Sequence, residues 1–168
     1  SIHTPARIEE ITSNPWDYDI NPEYIEVNFS NECNFKCGYC HPKFSTRYYN
    51  EIKKHGPYKD VIAHSNNIDW FELYEEDDNP YLEAWWKWWP EVSKTLNILR
   101  ITGGEPLMHK STWRLFEELK ENPKPHLNIE LNSNMGIKEK LVKRLVDTLK
   151  ELKKIKAINS FKLYTSID

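Results

Sequence analysis

One stretch sets the fold class: residues 24–40, which read YIEVNFSNECNFKCGYC. Its first six residues alternate, so that Ile25, Val27 and Phe29 share one face of a predicted strand over Tyr24–Phe29. The strand leads directly into a polar loop that carries three cysteines. Functional residues delivered at the carboxyl end of a strand are typical of parallel α/β proteins.

Outward from this stretch, strands and helices alternate. Further strands are predicted at 98–102, 127–131 and 161–167, with helices from Asn79 to about Leu96, from the cap Ser111 to Asn122, and after Gly136. This alternation predicts βα units and a parallel sheet. We take residues 1–22 as an N-terminal arm and 23–168 as the core. We expect the core to carry an insertion at about 42–96, irregular as far as Asn79.

Unusual residues follow each predicted strand. Gly103-Gly104-Glu105 follows the second strand, Asn132-Ser133-Asn134 the third, and Ser166 and Asp168 close the fourth. The carboxyl ends of parallel strands meet at one edge of a sheet, where α/β proteins build their sites. The sequence therefore predicts one site at this edge.

Composition narrows the class of protein. The chain has 168 residues and a net charge of −3, which argues against a protein that mainly coats nucleic acid. Its longest apolar runs are three residues, so no membrane span is predicted, and its first 14 residues show no export signal. We therefore expect a cytoplasmic protein, in which clustered thiols serve metal or redox chemistry.

The three cysteines are spaced Cys33-x3-Cys37-x2-Cys40. Three thiolates on one loop can hold three irons of a [4Fe–4S] cluster and leave the fourth iron open for chemistry. Two alternatives stay open at this point. One is a Cys3His zinc site that includes His41, and the other is a thioredoxin-like dithiol at Cys37 and Cys40.

Residues 33–40 resemble the CxxxCxxC signature of the radical S-adenosylmethionine (radical SAM) superfamily, with Tyr39 as its aromatic residue. Gly103-Gly104-Glu105 is similar to the GGE motif of that family, and Asn132-Ser133-Asn134 lies at its ribose-contacting strand end. Ser166-Ile167-Asp168 resembles the Ser-x-Asp of the twitch/SPASM-type, peptide-modifying branch. The resemblance implies a partial (β/α) barrel with about four βα units.

The resemblance also implies cofactors and site residues. Cys33, Cys37 and Cys40 would bind the [4Fe–4S] cluster, and Glu105 with the carbonyls of Gly103 and Gly104 would accept hydrogen bonds from the amine of SAM. The remaining expected contacts are Tyr39 near the adenine, and Asn132, Ser133, Ser166 or Asp168 near the ribose. We expect the enzyme to cleave SAM reductively to a 5′-deoxyadenosyl radical.

The expected partners are a substrate, an electron donor and a cover for the sheet edge. A peptide or protein is the expected substrate, with tRNA or small molecules as alternatives, and flavodoxin or ferredoxin the expected donor. A further chain or segment is expected to cover the edge of the fourth strand. The alternative to an enzyme is a non-catalytic protein that binds the cluster or SAM. We also expect the loop before Asn79 to border the substrate cleft.

Overall fold

The computed structural model describes residues 4–59, 68–69 and 79–166. Within these ranges the helices are α1 (Pro5–Ser13), α2 (Thr46–His55), α3 (Pro80–Val92), α4 (Lys110–Glu121) and α5 (Glu139–Lys154). The strands are β1 (Tyr24–Asn28), β2 (Ile98–Thr102), β3 (Lys124–Ser133) and β4 (Ile158–Thr165), and short 3-10 turns span Pro42–Phe44 and Pro106–Met108.

The four strands form one sheet in the order β1-β2-β3-β4, and every neighbouring pair is parallel. This arrangement is the expected α/β class and is consistent with a partial radical SAM barrel. β1 and β4 are the edge strands of this sheet. The expectation that a further segment or chain covers β4 stays a prediction.

The apolar face of the sheet packs against three helices. Leu99 and Ile101 of β2 and Ile129 and Leu131 of β3 are fully buried. They share one core with the apolar faces of α3, α4 and α5. Trp85 and Trp89 of the tryptophan-rich helix α3 belong to this core, so α3 packs on the sheet through these two side chains.

The opposite face of the sheet is polar. The register aligns one charged residue from each strand in a single row, Glu26, Arg100, Glu130 and Lys162. The signs alternate along the row, and Lys162 Nζ lies 3.2 Å from Glu130 Oε1. The side chains of Glu26 and Lys162, the two outer members of this row, are exposed to solvent.

Several predicted boundaries were wrong. The segment expected to be irregular contains α2, which begins where Ser45 caps the backbone N–H of Tyr48. β3 begins three residues before the expected Leu127, and β4 begins at Ile158. The start of α4 is capped by His109, whose ring accepts from the N–H of Ser111, so Ser111 lies inside the helix.

None of the helices in the described part of the chain has the length and apolar character needed to cross a bilayer.

Candidate functional site

The cysteine loop leaves β1 and folds into a compact turn. The N–H of Cys40 donates to the carbonyl of Cys37 over 2.9 Å, and the N–H of Phe35 points at Cys33 Sγ over 3.4 Å. All three cysteines are free thiols of intermediate exposure. The loop therefore presents its sulfurs where an incoming metal cluster can reach them.

The chemistry of the donor set fits an iron–sulfur cluster. Burial raises the pKa of the Cys40 thiol, and the neighbouring charges of Cys33 and Cys37 raise it further, so both of these residues lie close enough to act on Cys40. In the described part of the chain, no group of three or more His, Cys, Asp or Glu side chains stands ready to hold a metal ion. In a [4Fe–4S] cluster each thiolate takes a different iron, so the three sulfurs need not converge on one point.

The structure does not decide between the two alternative interpretations of the cysteines, and both stay hypotheses. His41 Nδ1 accepts the N–H of Lys43 over 3.0 Å and caps a 3-10 turn, so this nitrogen is engaged in the fold.

The start of α2 holds the cysteine loop from one side. Thr46 donates its N–H to the carbonyl of Asn31 over 2.9 Å, and its hydroxyl accepts the N–H of Cys33 over 3.3 Å. The buried Ser45 hydroxyl donates to the carbonyl of Phe35 over 2.6 Å while it caps α2. The first residues of the supposed insertion thus form part of the support of the loop.

The end of β3 holds the same loop from the other side. Asn134 Nδ2 lies 3.1 Å from Asn34 Oδ1 and 3.8 Å from Cys33 Sγ. In return, Asn34 Nδ2 donates to the carbonyl of Gly136 over 2.7 Å. Asn134 was predicted to lie at this edge but was assigned no contact of its own, because the sequence gives no sign that it meets a cysteine 101 positions away.

The two glycines that follow β2 make room for the cysteine loop. Gly103 has φ +112°, and a Cβ there would lie 2.1 Å from Asn28 Oδ1. A Cβ on Gly104 would lie 2.2 Å from the carbonyl oxygen of Glu32. The backbone of Gly104 and Glu105 donates to the carbonyls of Ser30 and Glu32 over 3.1 and 2.7 Å. Only glycine permits this close approach.

Glu105 ties the end of β2 to the end of β3. Its carboxylate accepts the hydroxyl of Ser133 over 2.9 Å, and the N–H groups of Asn134 over 2.8 Å and of Leu107 over 3.2 Å. The side chain is buried, and this burial raises its pKa while the three donors act in the opposite direction. In this structure Glu105 therefore holds the ends of β2 and β3 together from inside the protein.

A hollow of about 590 Å³, here called the sheet hollow, opens beside Cys40 on the polar face of the sheet. Tyr39 and Gly103, both predicted SAM contacts, line it. So do Glu26, Asn28 and Thr102, which were not predicted. The volume falls in the range of roughly 300–1,000 Å³ that small-molecule sites occupy.

The amino-acid sequence does contain a signal for the lining residues that were not predicted. Alternation in β1 places Ile25 and Val27 on the apolar face, so Glu26 and Asn28 had to face the other way. Thr102 pairs in register with Asn28, and its hydroxyl donates to Glu26 Oε1 over 3.1 Å.

The predicted ribose contacts are scattered along the same edge. Asn132 accepts from Arg100 Nε over 3.1 Å, and Ser133 is buried against Glu105. Ser166 is exposed and donates its N–H to the carbonyl of Ser133 over 3.3 Å. Asp168 lies outside the described residues, as does most of the loop before Asn79. Their assigned roles stay predictions.

Comparison with known proteins gives one family match. The profile of the radical SAM superfamily matches residues 27–161, which include the last two residues of β1, the cysteine loop, β2, β3 and the first half of β4. No solved structure matches significantly.

Two curated relatives are both named GTP 3',8-cyclase. That of Nautilia profundicola is 24% identical over 125 residues, which cover 74% of this chain and 31% of the relative. That of Campylobacter fetus subsp. fetus is 26% identical over 143 residues, covering 80% and 37%. The chain thus spans about a third of the length of these relatives.

Proposed function

The chain belongs to the radical SAM superfamily, and on that premise we propose that it binds a [4Fe–4S] cluster and cleaves SAM reductively to modify a substrate. Members of this family use both cofactors. The observation that carries the proposal is the junction in which Gly103, Gly104 and Glu105 pack against the loop that leads into Cys33. Two family motifs far apart in sequence meet there.

Cys33, Cys37 and Cys40 would hold the cluster, and the sheet hollow would hold SAM beside Cys40. When bound, the two cofactors supply a 5′-deoxyadenosyl radical through one-electron cleavage of the sulfonium. The role of the chain itself is to orient the cofactors and to exclude water. Tyr39 offers an aromatic surface to the adenine, and Asn28 and Thr102 offer polar atoms on the sheet.

Glu105 stays the proposed acceptor for the amine of SAM, and the structure adds a role in support of the loop. Its carboxylate already takes three donors from the chain and is buried. An additional amine would have to share these oxygens, each of which has two lone pairs. The carbonyl of Gly103 is a further proposed acceptor at the sheet hollow.

For the substrate we carry two candidates. A nucleotide is favoured by the two relatives, whose names give GTP as the molecule on which they act. A peptide was expected from the resemblance of Ser166-Ile167-Asp168, of which only Ser166 is described. The nucleotide is the first to test, since the relatives support it across most of this chain.

The test is anaerobic reconstitution followed by reduction with dithionite in the presence of SAM. We expect about four irons per chain, as one [4Fe–4S] cluster requires, and formation of 5′-deoxyadenosine and methionine. When GTP or a peptide library is then added, the molecule that serves as substrate should be converted to a modified product. A Cys37→Ala variant, in which one ligand is missing, is the matched control and should lose both iron and turnover.

Three outcomes would contradict the proposal. An intact cluster without 5′-deoxyadenosine would support the non-catalytic binding protein. Stoichiometric zinc with no iron after reconstitution would support the structural metal site. Dithiol–disulfide exchange that survives Cys33→Ala would support the thioredoxin-like alternative.

A cytoplasmic location stays a prediction.

A further inference from the structure

The contacts proposed for the cluster and for SAM do not include Glu26, although this residue lines the sheet hollow. Its side chain is 49% exposed, so a molecule bound in the hollow can reach the carboxylate. Of the residues that the structure describes around this hollow, Glu26 is the only carboxylate and none is a Lys or Arg. The charge that a bound molecule meets from this carboxylate is therefore negative.

Glu26 lies further from the cysteine loop than the residues assigned to SAM. Asn28 is the last residue of β1, at the edge where Tyr39, Cys40 and Gly103 also line the hollow. Glu26 precedes Asn28 by two residues on the same face of the strand. A strand advances about 3.3 Å per residue, so Glu26 lies roughly 7 Å further from the edge. Because the proposed function puts SAM beside Cys40, this deeper end of the hollow is left for the substrate.

The carboxylate of Glu26 is held in place on the sheet. The hydroxyl of Thr102 donates to Oε1 over 3.1 Å, and the hydroxyl of Tyr24 donates to Oε2 over 3.3 Å. Arg100 Nε lies 3.9 Å from Oε2, so one positive charge already stands beside the carboxylate. Each carboxylate oxygen has two lone pairs and can accept a further hydrogen bond.

A carboxylate in this setting accepts a pair of neutral N–H donors. Its two oxygens match two donors that lie side by side, and such bidentate contacts are a common way of reading a nucleic-acid base. The Watson–Crick edge of guanine carries such a pair in its N1–H and its 2-amino group. A phosphate would be repelled by Glu26, and a second cation would be repelled by Arg100.

We propose that Glu26 is a specificity-determining residue, which accepts the N1–H and the 2-amino group of a guanine base at the deeper end of the sheet hollow. The inference rests on the proposed function and deepens its nucleotide candidate, because it names the base and the residue that recognises it. The phosphates of the bound nucleotide point out of the hollow, since the described lining offers them no Lys or Arg.

The experiment measures nucleotide binding to the reconstituted protein with SAM present and no reductant, so that no turnover occurs. Calorimetry compares GTP with ITP, which lacks the 2-amino group, and with ATP, whose ring N1 is an acceptor. The test variant is Glu26→Gln, which removes the charge and keeps the shape. The matched control is Glu130→Gln, which makes the same change in the same row of the sheet, at a residue that pairs with Lys162 and is not among the described lining residues.

In the parent, GTP should bind about ten- to a hundredfold more tightly than ITP, the range expected when one hydrogen bond to a charged group is lost. ATP should bind more weakly still, because its N1 faces the carboxylate with a lone pair. Glu26→Gln should weaken GTP binding by a similar factor and make GTP and ITP bind alike. Glu130→Gln should bind all three nucleotides like the parent, and both variants should keep their iron and their affinity for SAM.

Equal binding of GTP and ITP by the parent would overturn the inference, as would a Glu26→Gln variant that still prefers GTP. Loss of SAM binding in Glu26→Gln would overturn it too, because Glu26 would then be a contact of SAM. If GTP failed to bind the parent and a lysine-containing peptide did bind, the carboxylate would accept a peptide amine instead. Absence of 5′-deoxyadenosine when the parent is reduced with dithionite would count against the proposed function, while the ratio of the GTP and ITP affinities would still decide the role of Glu26.

Discussion

The two faces of the sheet differ in what holds them. On the apolar face, Leu99, Ile101, Ile129 and Leu131 are fully buried under α3, α4 and α5. On the polar face and at the carboxyl edge, the contacts are hydrogen bonds and ion pairs between neighbouring strand ends. The first kind of contact is non-directional and tolerates some repacking, whereas the second fixes atoms in place.

This difference separates what stabilises the fold from what positions the cysteine loop. Burial of apolar surface supplies most of the free energy that keeps the sheet folded. The polar junction contributes less free energy but decides where the cysteine loop lies. Changes on the apolar face should therefore lower stability with little effect on the site, and changes at the junction should do the reverse.

The largest expected loss of stability is at the centre of the apolar face. Leu131→Ala should lower the free energy of unfolding by about 2–5 kcal/mol, the cost of an unfilled cavity in a core. Denaturant titration checks this, with Leu131→Met as a volume-conserving control. The folded fraction should still bind iron. A fully folded variant that has lost its iron would contradict the separation of stability, which depends on the apolar face, from the position of the site, which depends on the polar junction.

The second expected effect is at Gly104. Gly104→Ala places a Cβ 2.2 Å from the carbonyl oxygen of Glu32, so the cysteine loop must shift. We expect about 1–3 kcal/mol of destabilisation, as overpacking costs, together with loss of most of the iron. Gly38→Ala is the control, because nothing lies within 4 Å of a Cβ at Gly38. Equal iron content in the two variants would contradict the assigned role of Gly104.

The third prediction concerns Glu105. Glu105→Ala leaves the Ser133 hydroxyl and the Asn134 N–H without their buried acceptor, which should cost about 1–3 kcal/mol in the absence of SAM. If Glu105 served only to take the amine of SAM, stability without SAM would not change. Iron analysis and SAM binding on the same samples then separate the supporting role from the binding role.

The pH dependence of stability sharpens the case of Glu105. The pKa of its folded form is raised above the ordinary value of 4.5. As pH rises from that value through the folded pKa, the unfolded chain loses its proton first, so this group lowers stability progressively over that window. Glu105→Gln removes the titration, and the free energy of unfolding of the parent should fall relative to that of the variant over that window. Parallel pH profiles would contradict the raised pKa.

The smallest expected effect is at Asn134. Asn134→Ala removes the donor near Cys33 Sγ and the partner of Asn34, at a cost of about 0.5–1.5 kcal/mol. Hydrogen-bond donors to the sulfurs stabilise the more negative, reduced cluster. Removal of the Asn134 donor should therefore lower the midpoint potential of the cluster. Spectroelectrochemical titration measures this, with Asn128→Ala, in the middle of β3, as the control. An unchanged potential would show that Asn134 acts on the loop backbone alone.

Much of the fold could be predicted from local patterns. β2 spans Ile98–Thr102, as predicted, and α3 begins at Pro80 because Asn79 accepts the N–H groups of Tyr81 and Leu82. α2 was missed because its residues are mostly polar or aromatic and bury only Ile52. Its support comes from contacts with the cysteine loop, which local periodicity does not reveal.

The amino-acid sequence by itself determined which chemistry is present and at which edge. Cys33, Cys37 and Cys40 are close in sequence, and the parallel topology sends the ends of all four strands to one side. Only the tertiary structure decided the partners of Glu105 and Cys33, because Ser133 and Asn134 are 28 and 101 residues away from them. Hydrogen bonds need atoms placed within a few tenths of an ångström, and register and packing fix such positions between strands where spacing along the chain does not.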